Sequence, residues 1–105
     1  MLRQSFWMIA LIVSGCALIE QPTAELAVAR SAIDEAERAG AAERAPQELA
    51  SARDRLARAE AHARLRHYDE ALLLAEQAEV DAQLAAVKSR ASAAESARDA
   101  VQRRP

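Results

Sequence analysis

Alanine fills 28 of the 105 positions and recurs at alternating three- and four-residue intervals. That interval returns a side chain to the same face of an α-helix. A chain patterned this way folds as helices packed along small-residue seams. Only 2 glycines and 3 prolines are present, too few for the turns of a β-sandwich or barrel. Arginine, glutamate and leucine supply most of the other positions, and like alanine they are strong helix formers. The length fits one small domain. Hydrophobic residues make up 51% of the chain but aromatics only 3%. Much of the apolar content is therefore methyl groups, which cannot wall a deep catalytic pocket. A single cysteine rules out a disulfide within one chain.

The first fifteen residues stand apart from this pattern. Met1 to Ser5 carries one positive charge and no acid, and Phe6 to Val13 is an unbroken apolar run. The run is far shorter than the roughly 20 residues of a spanning helix. A short basic start followed by such a run has the form of a secretory signal. Val13-Ser14-Gly15-Cys16 follows, an aliphatic residue and two small residues before cysteine. This tetrapeptide resembles the bacterial lipobox, the cleavage signal of lipoprotein signal peptidase. The resemblance implies that residues 1–15 are removed and that Cys16 becomes the N-terminus. Cys16 then carries a thioether-linked diacylglycerol and an N-acyl chain, and no other cofactor is expected. Such an anchor holds far more firmly than one myristoyl chain. Ala17 stands where an aspartate favours the inner membrane, so the resemblance implies a periplasm-facing outer-membrane location. Residues 16–22 then form a lipidated tether, and residues 23–105 an alanine-rich helical domain.

Within that domain, Thr23 suits a helix N-cap. Leu26, Ala29, Ile33, Ala36 and Gly40 trace one stripe, and Gly40 fits a left-handed helix end. The expected first helix is Thr23 to Ala39. Ala41 to Ala45 reads as a connector, and Pro46 suits the first turn of a second helix. Its stripe is Leu49, Ala52, Leu56, Ala59, Ala63 and Arg66, giving a helix over about Pro46 to Arg66. His67-Tyr68-Asp69 interrupts the pattern as a turn, with Asp69 as N-cap of a third helix from Glu70. That helix presents Ala71, Leu74, Ala75, Ala78, Ala82, Ala85 and Ser89 on one face, with Leu73, Val80, Leu84 and Val87 widening it. It runs to Arg98 or beyond, on the order of 45 Å at 1.5 Å per residue. The expected fold is all-α: an antiparallel helical hairpin or a three-helix, coiled-coil-like bundle with a long C-terminal helix.

Charge is distributed in blocks. Glu20 to Glu43 has net charge -4, Arg44 to Arg66 net +3, Asp69 to Asp81 net -5 and Lys88 to Arg104 net +3. Antiparallel packing sets the second helix, which is basic, against the acidic start of the third. Exposed ion pairs contribute only about 0.2–1 kcal/mol each, so the blocks select orientation rather than supply stability. The alanine seam buries little area per residue, which leaves self-association open.

Several segments in order carry a family resemblance. They are Ala32 to Ala41 (AIDEAERAGA), Ala45-Pro46-Gln47-Glu48-Leu49, Ala52 to Glu60 (ARDRLARAE), Tyr68-Asp69-Glu70-Ala71 and Ala75 to Ala82 (AEQAEVDA). Together they resemble the short lipoproteins grouped as family 4398 of the domains of unknown function, over roughly Pro22 to Ser89. The resemblance implies a helical lipoprotein facing the periplasm and no particular reaction. It also implies an envelope partner, with peptidoglycan-binding domains of the outer-membrane-protein-A type as one kind. Wall binding carries over to no residue here. Tyr68-Asp69-Glu70-Ala71-Leu72 further resembles the turn of a tetratricopeptide repeat, in which the tyrosine packs at the turn. Stacked repeats need about three units, and only one such turn occurs.

No catalytic constellation emerges. His62 and His67 lie about 140° apart on a helix, whereas a metal pair favours a spacing of three or four. Glu35, Glu37, Glu76, Glu79 and Asp81 have no second group to fix an acid–base pair. Ser89, Ser92 and Ser96 continue the small-residue seam. Arg98, Arg103 and Arg104 form a basic tail too sparse for nucleic-acid binding. The sequence therefore points to a structural or adaptor lipoprotein of the outer membrane, anchored by lipid and joined to another envelope protein or to itself. The expected contact surface is Leu84, Val87, Arg98 and Val101, on the part of the third helix that outruns the second. A murein-lipoprotein-like rod is the first alternative. It is weakened by Gly40, by Pro46 and by a Gln102-Arg103-Arg104-Pro105 end without lysine. A small ligand carrier or enzyme is the second.

Overall fold

A computed structural model describes residues 21–104. Cys16 and its lipobox, and the segments at 1–15 and 16–20, lie outside the described residues. The described chain is helical throughout its elements: α1 (Thr23–Arg38), α2 (Ala41–Arg44), α3 (Pro46–Arg64) and α4 (Tyr68–Gln102). The three long helices run up, down and up. α4 packs against both α1 and α3, and the one-turn α2 closes the far end.

The expected stripes are the buried ones. Leu26, Ala29, Ile33 and Ala36 of α1 face inward, as do Leu49, Ala52, Ala59 and Ala63 of α3 and Ala71, Leu74, Ala75, Ala78, Ala82, Ala85 and Ser89 of α4. They form two clusters. One holds Leu26, Ala59, Ala63, Leu74 and Ala78, near the α3–α4 turn. The other holds Ile33, Ala41, Ala45, Leu49, Ala82 and Ala86, near α2. Leu56 is half-buried and packs against both clusters, while Arg66 is exposed and outside the stripe. Residues 41–45 are more than a connector. Ala41 and Ala45 are buried plugs at the end of the bundle.

The helix ends explain the chain reversals. Gly40 follows α1 with φ 88°, and its N–H donates to the Glu37 carbonyl at 3.0 Å. Ala45 sits at φ -143°, as the residue before a proline must leave the helical region. The α3–α4 turn lies two residues earlier than the sequence suggested, at Leu65-Arg66-His67. Arg66 N–H donates to Ala63 O at 3.1 Å and His67 N–H to His62 O at 2.9 Å. These two bonds make a Schellman motif, with Arg66 at φ 62° in the position that glycine usually fills. Neither Thr23 nor Asp69 is an N-cap. The caps are Pro22 and His67, neither makes a side-chain cap bond, and Asp69 sits inside the first turn of α4.

The widening of the α4 face does not occur. Leu73, Val80, Leu84 and Val87 are 55%, 61%, 47% and 60% exposed. At about 100° per residue, Leu73 points some 200° away from Ala71 and Ala75. It therefore belongs to the opposite face.

Two substitutions test this packing. Leu49 is 1% exposed, so Leu49→Ala should cost about 2–5 kcal/mol. The half-buried Leu56→Ala should cost less, and the outward Arg58→Ala should stay within about 0.5 kcal/mol. Thermal melts give the order, and similar losses at Leu49 and Arg58 contradict the assigned helix face. Arg66→Gly should instead raise stability by about 1 kcal/mol, because glycine carries no left-handed penalty.

Candidate functional site

The outward face of α4 is the most distinctive surface of the bundle. Leu73, Val80, Val87, Ala94 and Val101 recur every seven residues, and Gln77, Leu84, Ala91 and Arg98 fall four residues after the first four of them. This is the four-three alternation of a coiled-coil seam. It spans about 42 Å along the helix, on the side away from the alanine core. Val101 is 69% exposed, and Arg98 is also exposed.

The expected surface residues Leu84, Val87, Arg98 and Val101 therefore share this stripe. Only Arg98 and Val101 lie on a projecting tail. Leu84 and Val87 lie on the back of the packed bundle, because Ala85, Ala86 and Ser89 between and beyond them are buried. Ser89 is the last fully buried residue of α4, and its hydroxyl donates to Ala85 O at 2.7 Å. Ser92 is half-buried and Ser96 exposed, so the serine seam ends there. Sequence reasoning missed Leu73 and Val80 as parts of the outward surface. The seven-residue interval linking them to Val87 and Val101 was the available signal.

Ion pairs fix how α1 and α3 dock on α4 and on each other. Arg55 Nη1 and Ser51 Oγ both donate to Asp81 Oδ2 at 2.8 Å. Arg90 donates to Glu35 at 2.7 Å, and Arg53 to Glu37 at 2.6 Å. These three pairs follow the charge blocks. Two others do not: Arg30 and Glu60, at 2.9 Å, are each the minority charge of their block, and Lys88 bonds Glu48, an acid within another net-basic block. The Lys88 ammonium hydrogen-bonds the Glu48 carboxylate and holds its pKa below 4.5.

At the other end, Tyr68 is half-buried and Asp69 exposed. Both border a groove of about 500 Å³ opposite Thr23, Ala24 and Glu25 of α1. Tyr68 is the first residue of α4 and follows the turn, and Asp69 lies inside the first turn of that helix. The two histidines do meet, contrary to the helical-wheel expectation. α3 ends between them and the left-handed Arg66 folds the chain back, bringing His62 Nδ1 and His67 Nδ1 within 3.4 Å. Among the described residues, no group of three or more His, Cys, Asp or Glu side chains converges as for a metal ion. No helix among them is long and apolar enough to cross a membrane.

Small residues inside and a long C-terminal helix packed against the others define this chain as an all-α helical bundle. The family model for DUF4398, a domain of unknown function, matches residues 24–101. The chain belongs to that family, and the match covers α1 through nearly all of α4. Neither the curated proteins nor the solved structures give a match.

The Lys88–Glu48 bond predicts an acid-sensitive contribution to stability. The folded pKa of Glu48 lies below its unfolded value, so the contribution is present above about pH 4.5. It is lost as the pH falls through the lower folded value. Glu48→Gln should therefore lower Tm near neutral pH, and the gap to the parent should close in acid. A gap unchanged across that range contradicts the assignment.

Proposed function

We propose that this chain is an outer-membrane lipoprotein with a structural or adaptor role, anchored through lipid on Cys16 and facing the periplasm. The observation that carries the adaptor reading is the apolar stripe of α4, which the bundle leaves in solvent. Isolated exposed aliphatics are ordinary. A seven-residue repeat of them over some 42 Å of helix is the pattern of a helix that receives another helix. The anchor reading rests on Val13-Ser14-Gly15-Cys16 after a short apolar run.

The role is non-catalytic in this reading, because it uses a face and not a pocket. The partner is a helical surface in the envelope, with proteins of the outer-membrane-protein-A type as one candidate class. Tethering to a membrane raises local concentration, so a modest helix–helix affinity suffices. A murein-lipoprotein-like rod fits less well, since the reversals at Gly40 and Arg66 fold this chain into three helices.

Two measurements test the proposal. Metabolic labelling with a fatty-acid analogue should mark the parent and leave Cys16→Ala unmarked. Equal labelling of both defeats the anchor. A photo-crosslinking residue at Val87 should capture an envelope protein in intact cells, while one at Arg58 on the back of α3 should not. Absence of any Val87-specific product defeats the adaptor role.

A further inference from the structure

We infer that the α4 stripe is a self-association surface, on which two copies of this chain pair antiparallel, α4 against α4. This deepens the adaptor reading, on which it rests, by naming a second copy as the occupant of the same face.

The repeat is the first ground. A strict seven-residue interval drifts by about 20° per heptad on a straight helix. The buried seam Ala71, Ala75, Ala78, Ala82, Ala85 and Ser89 has the same period, so packing on α1 and α3 keeps the outward stripe in register on one face over residues 73–101. α1 and α3 occupy the alanine side of α4, which leaves that in-register stripe free to receive a helix of the same period.

Charge selects the orientation. Asp69, Glu70 and Glu76 flank Leu73 at one end of the stripe, and Arg98 lies in the stripe at the other. Among the described residues, none of these four makes an ion pair within the chain. Parallel pairing stacks the three carboxylates on their own copies and Arg98 on Arg98. Antiparallel pairing lays the Arg98 stem over Leu73 of the other copy, with its guanidinium among that copy's acids. The same register sets Leu84 against Val87 and Val80 against Ala91, with the two-fold axis between Leu84 and Val87. It pairs the bulkiest outward residues at the centre and the charges at the ends. It also places the two Thr23 ends at opposite ends of the pair. Two copies anchored in one leaflet then lie along the membrane surface.

The test uses residues 21–105, which carry both core clusters whole and no cysteine. Sedimentation equilibrium should give twice the chain mass at high micromolar concentration. Leu84→Glu with Val87→Glu should weaken dimerisation at least a hundredfold and leave helical circular dichroism and Tm near the parent values. Because both positions are outward, a folded monomeric double variant is the expected result. A parent that stays monomeric at 100 µM, or a double variant that stays dimeric, overturns the inference. Orientation is read by oxidation. Leu73→Cys mixed with Arg98→Cys should give a mixed disulfide, and Leu73→Cys alone should give little. A dominant Leu73→Cys homodimer shows parallel pairing and overturns the proposed arrangement. A monomeric fragment whose full-length parent still crosslinks another envelope protein through Val87 defeats self-pairing but leaves the adaptor reading intact.

Discussion

The bundle depends on the close approach that alanine permits along α4. Ala71, Ala75, Ala78, Ala82 and Ala85 have no exposed surface, nor have Ala29, Ala36, Ala52 and Ala59 on the helices facing them. Small seams let helix backbones approach at the near end of the usual 8–10 Å range. Close packing gives many weak dispersion contacts in place of the large buried area of a leucine core. The bulky positions are then few, and each closes a particular gap. Leu49 seats under Ala82 and Ala86 beside the α2 plug, while Leu26 and Leu74 fill the opposite end. Among the described residues the seam is therefore narrow and largely methyl-lined, and the groove bordered by Tyr68 lies at the end of the bundle.

Stability drawn from so thin a core leaves orientation to be settled by other means. The charge blocks do part of this. Arg55–Asp81, Arg53–Glu37 and Arg90–Glu35 join blocks of opposite sign; the first two hold α3 antiparallel to its neighbours, and the third ties α4 to α1. Arg30–Glu60 is made by the minority charges of two blocks, and Lys88–Glu48 joins two net-basic blocks through the minority acid of one. Net block charge therefore states the preferred direction of packing but not which residues meet. Individual meetings depend on the register of the alanine seam, which brings Lys88 opposite Glu48 whatever the sign of the surrounding sequence.

Much of the fold was legible because period and punctuation agree. The three-four stripes of all three long helices are the buried ones, and Gly40 and Pro46 mark real boundaries. The α3–α4 turn was misplaced because its left-handed residue is an arginine, not the glycine that usually announces such a position. The same hidden turn explains the histidines. A helical wheel separates His62 from His67, but the helix stops between them. The one-turn α2 was read as a connector because four residues are too few to show a period. The anchor sequence is legible as a motif alone, since Cys16 lies outside the described residues.

The deeper misreading concerned the sign of burial on α4. Leu73, Val80, Leu84 and Val87 were read as widening the inner face, since large apolar residues usually lie inside, although Leu84 and Val87 were also expected in the contact surface. In this bundle size and burial are inverted along one helix. Apart from Leu74, the inner face carries small side chains, and the other large ones are turned outward. An amphipathic helix then becomes a helix with two apolar faces, one narrow and methyl-lined, the other broad and branched. The first is complete within the chain. The second repeats at the interval of a coiled coil and is bounded by acids at one end and Arg98 at the other. The core and the outward stripe thereby draw on different residues of the same helix. A substitution at Ala78 acts on the packed core, whereas one at Val87 alters only the exposed face, so the two faces can be changed separately even though α4 carries both.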